Sequence, residues 1–387
     1  MPGIGRHYRS LARFLVNLKR KSQFFAWGFH LAKKRPFLYT GGMSELALYR
    51  KYRPGKFGEV IGQEPIIKAL LGSLKLGRIA HAYLLAGPRG TGKTTIARLL
   101  ARELEASAND VYDIDGASIR GIDEIRELRE AVLTLPFDSP RKVYIIDEVH
   151  MLTREAFNAL LKTLEEPPPH VVFIFATTEI NKVPETIVSR CQTFAFKKPG
   201  TVDLLAAIKR AARGEGWEVE PAAAEAIALA SDGSFRDALG LLQQVAGASK
   251  DKKITVGEVE DLAGLPKMAL VREFILATLD GDLARALKAV NDNLAAGRET
   301  LMFLKLTLRQ LREALLLRLA PELRDQIAKN LSSDDEKFLE TIGKHANANE
   351  LPKILKALLE VYDDVRLAYL PALPLELALT RLISQDK

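Results

Sequence analysis

The 387-residue sequence contains one cysteine, Cys191, and no long apolar run. One thiol can form neither a disulfide framework nor a thiolate metal site within a chain, so we expect a reducing, cytoplasmic location. A transmembrane helix needs about 20 consecutive apolar residues, and no stretch approaches that length, so the sequence predicts no membrane partner. A chain of this size is expected to form two or three domains, each with its own core.

Acidic residues are absent from positions 1–42, which hold nine of the 56 Lys and Arg residues. Residues 43–387 therefore contain the other 47 basic residues and all 49 acidic ones, so the net charge of +7 for the whole chain becomes −2 for this part. Any DNA contact therefore needs a local basic patch. Segment 1–42 is interpreted as a basic extension: a targeting peptide, a surface-seeking arm, or a stretch outside the working protein. We favour the last interpretation, with translation starting at Met43, which leads directly into interpretable sequence.

Apolar runs alternate with helical patterns between Leu46 and Gln192. Strands are predicted at 82–86, 111–114, 143–147 and 171–176, and helices at 94–104, 123–133 and 154–164. Buried strands that alternate with helices indicate an α/β fold with a parallel sheet covered on both faces. The run Pro167–Pro169 ends the third helix.

Two helical regions follow this α/β region. The region 202–264 has no strand-like runs and is predicted to form a small helical domain. Its helices are expected at 202–213, 221–231, 234–247 and 256–263. From Pro266 to Leu382, apolar residues recur at three- and four-residue spacings, which predicts an all-α third region.

The segment Gly87–Thr94 reads Gly-Pro-Arg-Gly-Thr-Gly-Lys-Thr and fits the pattern G-x-x-x-x-G-K-[ST]. It follows a predicted strand and opens a predicted helix, which is the context of a P-loop. The backbone N–H groups of such a loop, together with the positive end of the helix, cradle phosphates. We expect Lys93 to reach the β- and γ-phosphates of ATP and the Thr94 hydroxyl to bind Mg²⁺.

A second acidic motif lies at the end of the strand predicted at 143–147. Asp147 is expected near the metal ion, and Glu148 is expected to polarise a water molecule. An Asp-Glu pair after a strand is often only a solvated strand end, but here it belongs to the same predicted sheet as the P-loop. ATP and Mg²⁺ are therefore the predicted cofactors.

Seven further stretches narrow the class of ATPase. They are Leu48-Tyr-Arg-Lys-Tyr-Arg-Pro54, Val60-Ile-Gly-Gln-Glu64, Asp147-Glu-Val-His-Met-Leu152, Asn158-Ala-Leu-Leu-Lys-Thr-Leu-Glu-Glu-Pro167, Ala176-Thr-Thr178, Ser189-Arg-Cys191 and Gly233-Ser-Phe-Arg-Asp-Ala-Leu239. With the P-loop and the acidic pair, the sequence from about Glu45 to Gly247 closely resembles the gamma/tau subunits of bacterial DNA polymerase III, which are clamp-loader AAA+ ATPases.

This resemblance implies a three-part architecture. An AAA+ P-loop domain is expected at 43–200, a helical lid domain at 201–264, and a helical collar for oligomerisation at 265–387. The implied function is that of an ATP-hydrolysing subunit that loads a sliding clamp onto primed DNA within a DNA polymerase holoenzyme, without a polymerase site of its own. The implied partners are other loader subunits in a hetero-oligomer of the pentameric kind, the clamp, and primer-template DNA.

The resemblance also implies roles for single residues. Arg190 would be an arginine finger for the neighbouring subunit's ATP, although a surface ion pair is the alternative. Thr178 would be the first sensor, beside Glu148, and Arg236 the second sensor, on the chain's own γ-phosphate. The implied nucleotide-binding residues are Tyr49, Arg53, Val60, Ile61, Gly87, Pro88, Arg89, Gly90, Thr91, Gly92, Lys93, Thr94 and Thr95.

DNA contacts are implied at Ser118, Arg120 and Lys162, and would be sequence-independent and salt-sensitive. Lys162 is also expected to relay DNA arrival to Glu148, with an ordinary helix-surface lysine as the alternative.

The sequence departs from the family pattern in two places. Gamma/tau subunits usually carry a four-cysteine zinc module, but residues 101–110 bridge that position without cysteine, so no zinc is expected. The chain also has the length of a gamma form, so linkage of two polymerases is not expected.

Two other functions stay open at this point. One is a non-hydrolysing structural loader subunit like delta-prime. The other is a DNA-translocating AAA+ motor of the Holliday-junction type, a class that normally ends in a winged-helix domain.

Overall fold

The computed structural model of the chain describes residues 46–118, 122–249, 251–324, 327 and 333–384. The predicted extension at 1–42 and the predicted DNA contact Arg120 lie outside the described residues. Residues 46–387 belong to one compact unit, which contains the α/β region, the lid and the helical third region.

Five parallel strands form the central sheet, in the order β2-β3-β4-β1-β5. Their bounds are β1 Ala82–Ala86, β2 Val111–Asp115, β3 Lys142–Asp147, β4 Val171–Thr177 and β5 Gln192–Ala195. Every residue of β1 and β4 is buried, because these strands lie inside the sheet and both of their faces are covered. The predicted α/β fold with a parallel sheet is thus confirmed, and β5 is an edge strand that the sequence patterns did not predict.

Helices cover both faces of this sheet. After the short helix α1 Leu48–Lys51, which packs against the lid, these helices are α2 Glu64–Lys75, α3 Lys93–Glu103, α4 Ile122–Val132, α5 Arg154–Glu165 and α6 Glu185–Val188. One apolar cluster joins α2 and α3 to one face, and a second joins α4, α5 and α6 to the other. The carboxyl ends of the parallel strands meet at a single edge, where residues from separate parts of the sequence come together.

Four helices make up the lid region. Their bounds are α7 Thr201–Glu215, α8 Pro221–Ala230, α9 Phe235–Ala248 and α10 Val256–Ala263. These helices bury one apolar cluster, into which Leu48 of α1 also packs, so α1 is attached to the lid.

The expectation that region 202–264 has no strands is wrong in one detail. Two short strands, β6 Glu218–Val219 and β7 Lys253–Ile254, pair in parallel beside the lid helices. Strands of two residues are too short to produce a period-two apolar pattern, so the sequence carries no signal for them.

The third region is helical throughout its described part, as predicted. Its helices are α11 Met268–Asp280, α12 Leu283–Ala295, α13 Thr300–Leu319, α14 Ser333–Lys344, α15 Leu351–Glu360, α16 Tyr362–Leu367 and α17 Ala372–Ser384. They bury one apolar cluster, in which Phe274 and Phe303 meet edge to face at 5.3 Å. No helix among the described residues is long and apolar enough to cross a membrane.

Candidate nucleotide site

The P-loop runs from the end of β1 to the start of α3 and packs closely against its surroundings. Gly87 has φ +150° and Gly90 has φ +73°. A side chain on Gly87 would lie 2.5 Å from the Phe196 carbonyl oxygen, and one on Gly90 would overlap the Ser234 hydroxyl. The backbone N–H of Phe235 donates to the Gly90 carbonyl at 3.1 Å, so the loop contacts the start of lid helix α9 directly. Glycine is required at both positions.

Lys93, the first residue of α3, is buried, and its ammonium lies within the curve of the loop. Its Nζ donates to the carbonyl oxygens of Gly87 at 2.7 Å and Pro88 at 2.8 Å. Burial lowers the pKa of Lys93, and the nearby Glu148 and Asp147 carboxylates oppose that shift. The ammonium is thus already directed at the space enclosed by the loop, where phosphate oxygens can replace the carbonyls as acceptors.

Thr94 and Asp147 are joined by a hydrogen bond at the end of β3. The Thr94 hydroxyl donates to Asp147 Oδ2 at 2.7 Å, and the backbone N–H of Glu148 donates to Oδ1 at 3.0 Å. A hydroxyl and a carboxylate oxygen side by side are the hard ligands that Mg²⁺ uses together with substrate phosphates, so the donor set fits that ion. Within the described part of the chain, no group of three or more His, Cys, Asp or Glu residues is arranged to hold a metal ion by itself.

Glu148 follows Asp147 with φ +49°, a left-handed conformation that is unusual for a residue with a side chain. Its Oε2 accepts hydrogen bonds from the Thr178 backbone N–H at 3.2 Å and from the Thr178 hydroxyl at 3.0 Å. The ends of β3 and β4 thereby bring the predicted water-polarising glutamate and the predicted first sensor into direct contact.

A cleft of about 510 Å³ lies between the P-loop, the segment 49–61 and the lid. Its volume is in the range of small-molecule sites. The predicted residues that line it are Tyr49, Arg53, Val60, Ile61, Arg89, Gly90, Thr91, Gly92, Lys93, Thr94, Thr95, Asp147, Glu148 and Arg236. Residues far apart in sequence therefore share one cavity, while Thr178 reaches it through Glu148.

Cationic side chains crowd this cleft. Burial lowers the pKa of Arg53, and the positive charges of Arg98 and Arg236 lower it further. The Arg236 guanidinium also lies over the Tyr49 ring, 5.6 Å from its centroid. Like charges held together in a partly buried cleft repel one another, and a bound polyanion such as a triphosphate relieves that repulsion.

Several lining residues were not predicted. Arg98 lies on α3, one turn after Thr94, and its Nε donates to Asp113 Oδ2 at 2.7 Å. Asp115, at the end of β2, and Arg210, on α7, also line the cleft. The i, i+4 spacing of Thr94 and Arg98 on one helix face was a usable signal for Arg98, whereas Arg210 reaches the cleft only through the packing of the lid.

Arg190 does not line the chain's own cleft. Its guanidinium donates to the Thr186 carbonyl at 2.8 Å and to Glu165 Oε1 at 2.7 Å, and its side chain is 35% exposed. The neighbouring Cys191 is packed against the sheet, and burial raises the pKa of its thiol to about 12. The surface ion pair that was the alternative for Arg190 is present, and the side chain is partly exposed, so the finger role stays a prediction.

The described DNA-contact candidates lie outside the cleft. Ser118 is exposed in the turn after β2, where its backbone N–H donates to the Asp115 carbonyl at 2.8 Å. Lys162 is exposed on α5. Neither residue contacts Glu148 in this arrangement, so their roles stay predictions.

The fold and the cleft define the class of the protein. An AAA+ P-loop ATPase is characterised by three features found here together: a P-loop that opens α3, an acidic pair at the end of β3, and a helical lid whose arginine enters the same cleft. Family profiles match three parts of the chain. They are described as DNA polymerase III, delta subunit, for residues 105–200; DNA polymerase III clamp loader subunit, ATPase lid domain, for 205–250; and DNA polymerase III subunits gamma and tau domain III, for 254–387.

Individual relatives agree with these profiles. DNA polymerase III subunit tau of Bacillus subtilis is 36% identical over 364 residues, which cover 88% of this chain and 63% of that protein. DNA polymerase III subunit gamma of Buchnera aphidicola is 36% identical over 328 residues, which cover 78% of this chain and 89% of that protein. The chain belongs to the gamma/tau family of bacterial DNA polymerase III subunits.

The extent of the match differs between relatives. The chain spans 47% of DNA polymerase III subunit gamma/tau of Mycoplasma genitalium, to which it is 40% identical over 278 residues. Among solved structures, the Thermotoga maritima RuvB Holliday junction branch migration motor is 27% identical, with a TM-score of 0.48, over 58% of this chain and 78% of that one.

Proposed function

We propose that this chain binds and hydrolyses ATP as a subunit of a clamp loader and that it drives the loading of a sliding clamp onto primed DNA. The observation that carries this proposal is the cleft in which Lys93, the Thr94–Asp147 pair and Glu148 surround one space. Family membership supports the loader context, and the complete set of polar residues favours hydrolysis over a purely structural, delta-prime-like role.

In this proposal the chain's own residues divide the work of phosphoryl transfer. Lys93 and the backbone N–H groups of the P-loop bind the β- and γ-phosphates, and Thr94 and Asp147 hold Mg²⁺, which neutralises developing charge. Glu148, oriented by Thr178, accepts the proton of the attacking water. Arg236 binds the γ-phosphate from the lid, so that the lid angle follows the nucleotide state.

The site is proposed to be completed by a second subunit. Arg190 lies outside the chain's own cleft and is partly exposed on the segment after α6, as a finger for an adjacent subunit requires. The third region, 265–387, is proposed to be the collar that holds subunits side by side. The proposed domain limits are 43–200 for the ATPase domain and 201–264 for the lid. The proposed partners of the chain are the other loader subunits, the clamp and primer-template DNA.

The proposal is tested by nucleotide binding and turnover of the full chain assembled with loader subunits, clamp and primed DNA. Lys93→Ala should abolish ATP binding, because it removes the buried ammonium that lies within the curve of the loop. Lys198→Ala is a matched control, since that lysine is exposed and pairs with Asp232 outside the cleft at 2.9 Å. The control should bind and hydrolyse ATP as the wild type does. Wild-type assemblies without ATPase activity would instead support the delta-prime-like role.

A further inference from the structure

His150 is a buried histidine beside the carboxyl ends of β3 and β4. It lies in the turn Val149–Met151, immediately after the Asp147-Glu148 pair, and its side chain is only 7% exposed. It does not line the nucleotide cleft. Its two ring nitrogens face two different carboxylates, which the proposed catalytic roles leave unexplained.

The Nδ1 side of the ring faces Glu148 and β4. Nδ1 is 3.0 Å from the Thr177 hydroxyl oxygen and 3.4 Å from Glu148 Oε2. That hydroxyl oxygen also accepts a hydrogen bond from the Glu179 backbone N–H at 3.0 Å. The imidazole is therefore fixed by the end of β4 and held against the same oxygen of Glu148 that Thr178 contacts.

The Nε2 side faces the surface. Nε2 is 3.4 Å from Glu179 Oε1, and Glu179 also binds the Lys182 ammonium at 2.9 Å. Glu179 begins the segment that continues through α6 to Arg190. One buried ring thus spans the distance between the cleft carboxylate and the start of the segment that carries the proposed finger.

We propose that His150 is a positioning residue for ATP hydrolysis, which holds Glu148 in its working orientation and anchors it to Glu179. Among the described residues, the polar contacts of the Glu148 carboxylate all use Oε2. A carboxylate held through one oxygen presents the other, Oε1, to the attacking water in a fixed direction. This role rests on the proposed hydrolytic function.

The role predicts that turnover changes while ATP affinity does not. In the assembled loader, His150→Ala should lower kcat by about 10- to 100-fold, because a catalytic group displaced by a fraction of an ångström loses its alignment. The dissociation constant for ATP, measured with a fluorescent analogue, should stay within about 2-fold, since the phosphate-binding residues are untouched. His170→Ala is the control, because the His170 ring faces the carbonyls of Val132 and Thr134 at the start of β4, whereas Glu148 lies beside the end of that strand.

Two conservative variants separate positioning from packing. The amide nitrogen of His150→Asn occupies the Nδ1 position and should restore most of kcat, whereas the amide of His150→Gln occupies the Nε2 position and should restore less. Glu179→Gln should lower kcat by a few-fold in the wild-type background and have no further effect in His150→Ala, because the two side chains act through one contact.

Three results would overturn the proposal. One is a kcat of His150→Ala within 2-fold of the wild type. Another is a parallel fall of kcat, ATP affinity and melting temperature without rescue by His150→Asn, which indicates a structural role only. The third is a wild-type assembly that does not hydrolyse ATP, which contradicts the proposed function and this role with it. An active wild type with an unaffected His150→Ala variant contradicts only the role of His150.

Discussion

Replacement of Arg190 by alanine should have a small effect on folding stability and a large effect on the rate of ATP hydrolysis. Among the described residues, the guanidinium pairs with Glu165 and donates a hydrogen bond to the Thr186 backbone carbonyl, in a partly exposed position. An exposed ion pair contributes about 0.2–1 kcal/mol. With the hydrogen bond, the total loss of stability should be about 1–2 kcal/mol. An arginine finger, in contrast, accelerates phosphoryl transfer by about 10³- to 10⁵-fold, equivalent to about 4–7 kcal/mol.

These magnitudes predict a specific phenotype for Arg190→Ala. The variant should fold, assemble and bind ATP like the wild type, and its steady-state ATPase rate with clamp and primed DNA should fall by about 10³-fold or more. Glu165→Gln is the matched control, because it removes the same ion pair and leaves the guanidinium in place. It should show a similar small loss of thermal stability with an unchanged ATPase rate.

Complementation locates the arginine on the neighbouring subunit. An assembly that mixes Arg190→Ala chains with Lys93→Ala chains should regain activity at those interfaces where an intact Lys93 site meets an intact Arg190. Undiminished hydrolysis by assemblies made only of Arg190→Ala chains would refute the shared site and leave the surface ion pair as the residue's role.

Three further substitutions test other parts of the structure. Glu148→Gln should bind ATP tightly and arrest turnover in single-turnover assays, and rapid turnover would contradict its role as the base. Burial alone would raise the pKa of Asp110, but hydrogen bonds from the backbone N–H groups of Phe137 and Asp138 lower it to about 2. The Asp110 carboxylate therefore stabilises the fold above pH 4, and this stabilisation is lost as the pH falls toward 2. Asp110→Asn should therefore cost about 2 kcal/mol in urea unfolding at pH 7 and little near pH 2; an equal cost at both pH values would refute this. Burial, followed by repulsion from Asp335, raises the pKa of Glu225 from 4.5 to about 7, so its contribution is present below pH 4.5 and lost as pH rises through 7. Glu225→Gln should match the wild type in melting temperature at pH 4.5 and exceed it at pH 8, by at most about 3 kcal/mol in stability, and a lower value at pH 8 would contradict this.

The central strands could be predicted because burial on both faces makes them continuous apolar runs. β1 and β4 are of this kind, and their bounds in the structure agree closely with the predicted ones. β5 escaped prediction because it is an edge strand with polar residues, Gln192 and Thr193, exposed to solvent. Its place in the sheet depends on pairing with β1, a long-range contact without a local signature.

In the candidate site, too, contiguous motifs could be predicted from the sequence, whereas long-range contacts could not. The P-loop and the Asp147-Glu148 pair are contiguous in sequence, and their residue types and spacing carry their chemistry. His150 escaped prediction because its contact with Thr177 spans 27 positions and exists only once β3 and β4 lie side by side. The bond between Arg190 and Glu165 likewise depends on how α5 packs beside α6.

The proposed function is tested most directly by counting labelled sliding clamps loaded onto primed circular DNA by an assembled loader that contains this chain. With ATP, the wild-type chain should load clamps over many turnovers, whereas the Glu148→Gln chain should stop after at most one round because it binds ATP without hydrolysing it. Loading that is absent with the wild-type chain, or equally efficient without ATP, would contradict its role as an ATP-driven clamp-loader subunit.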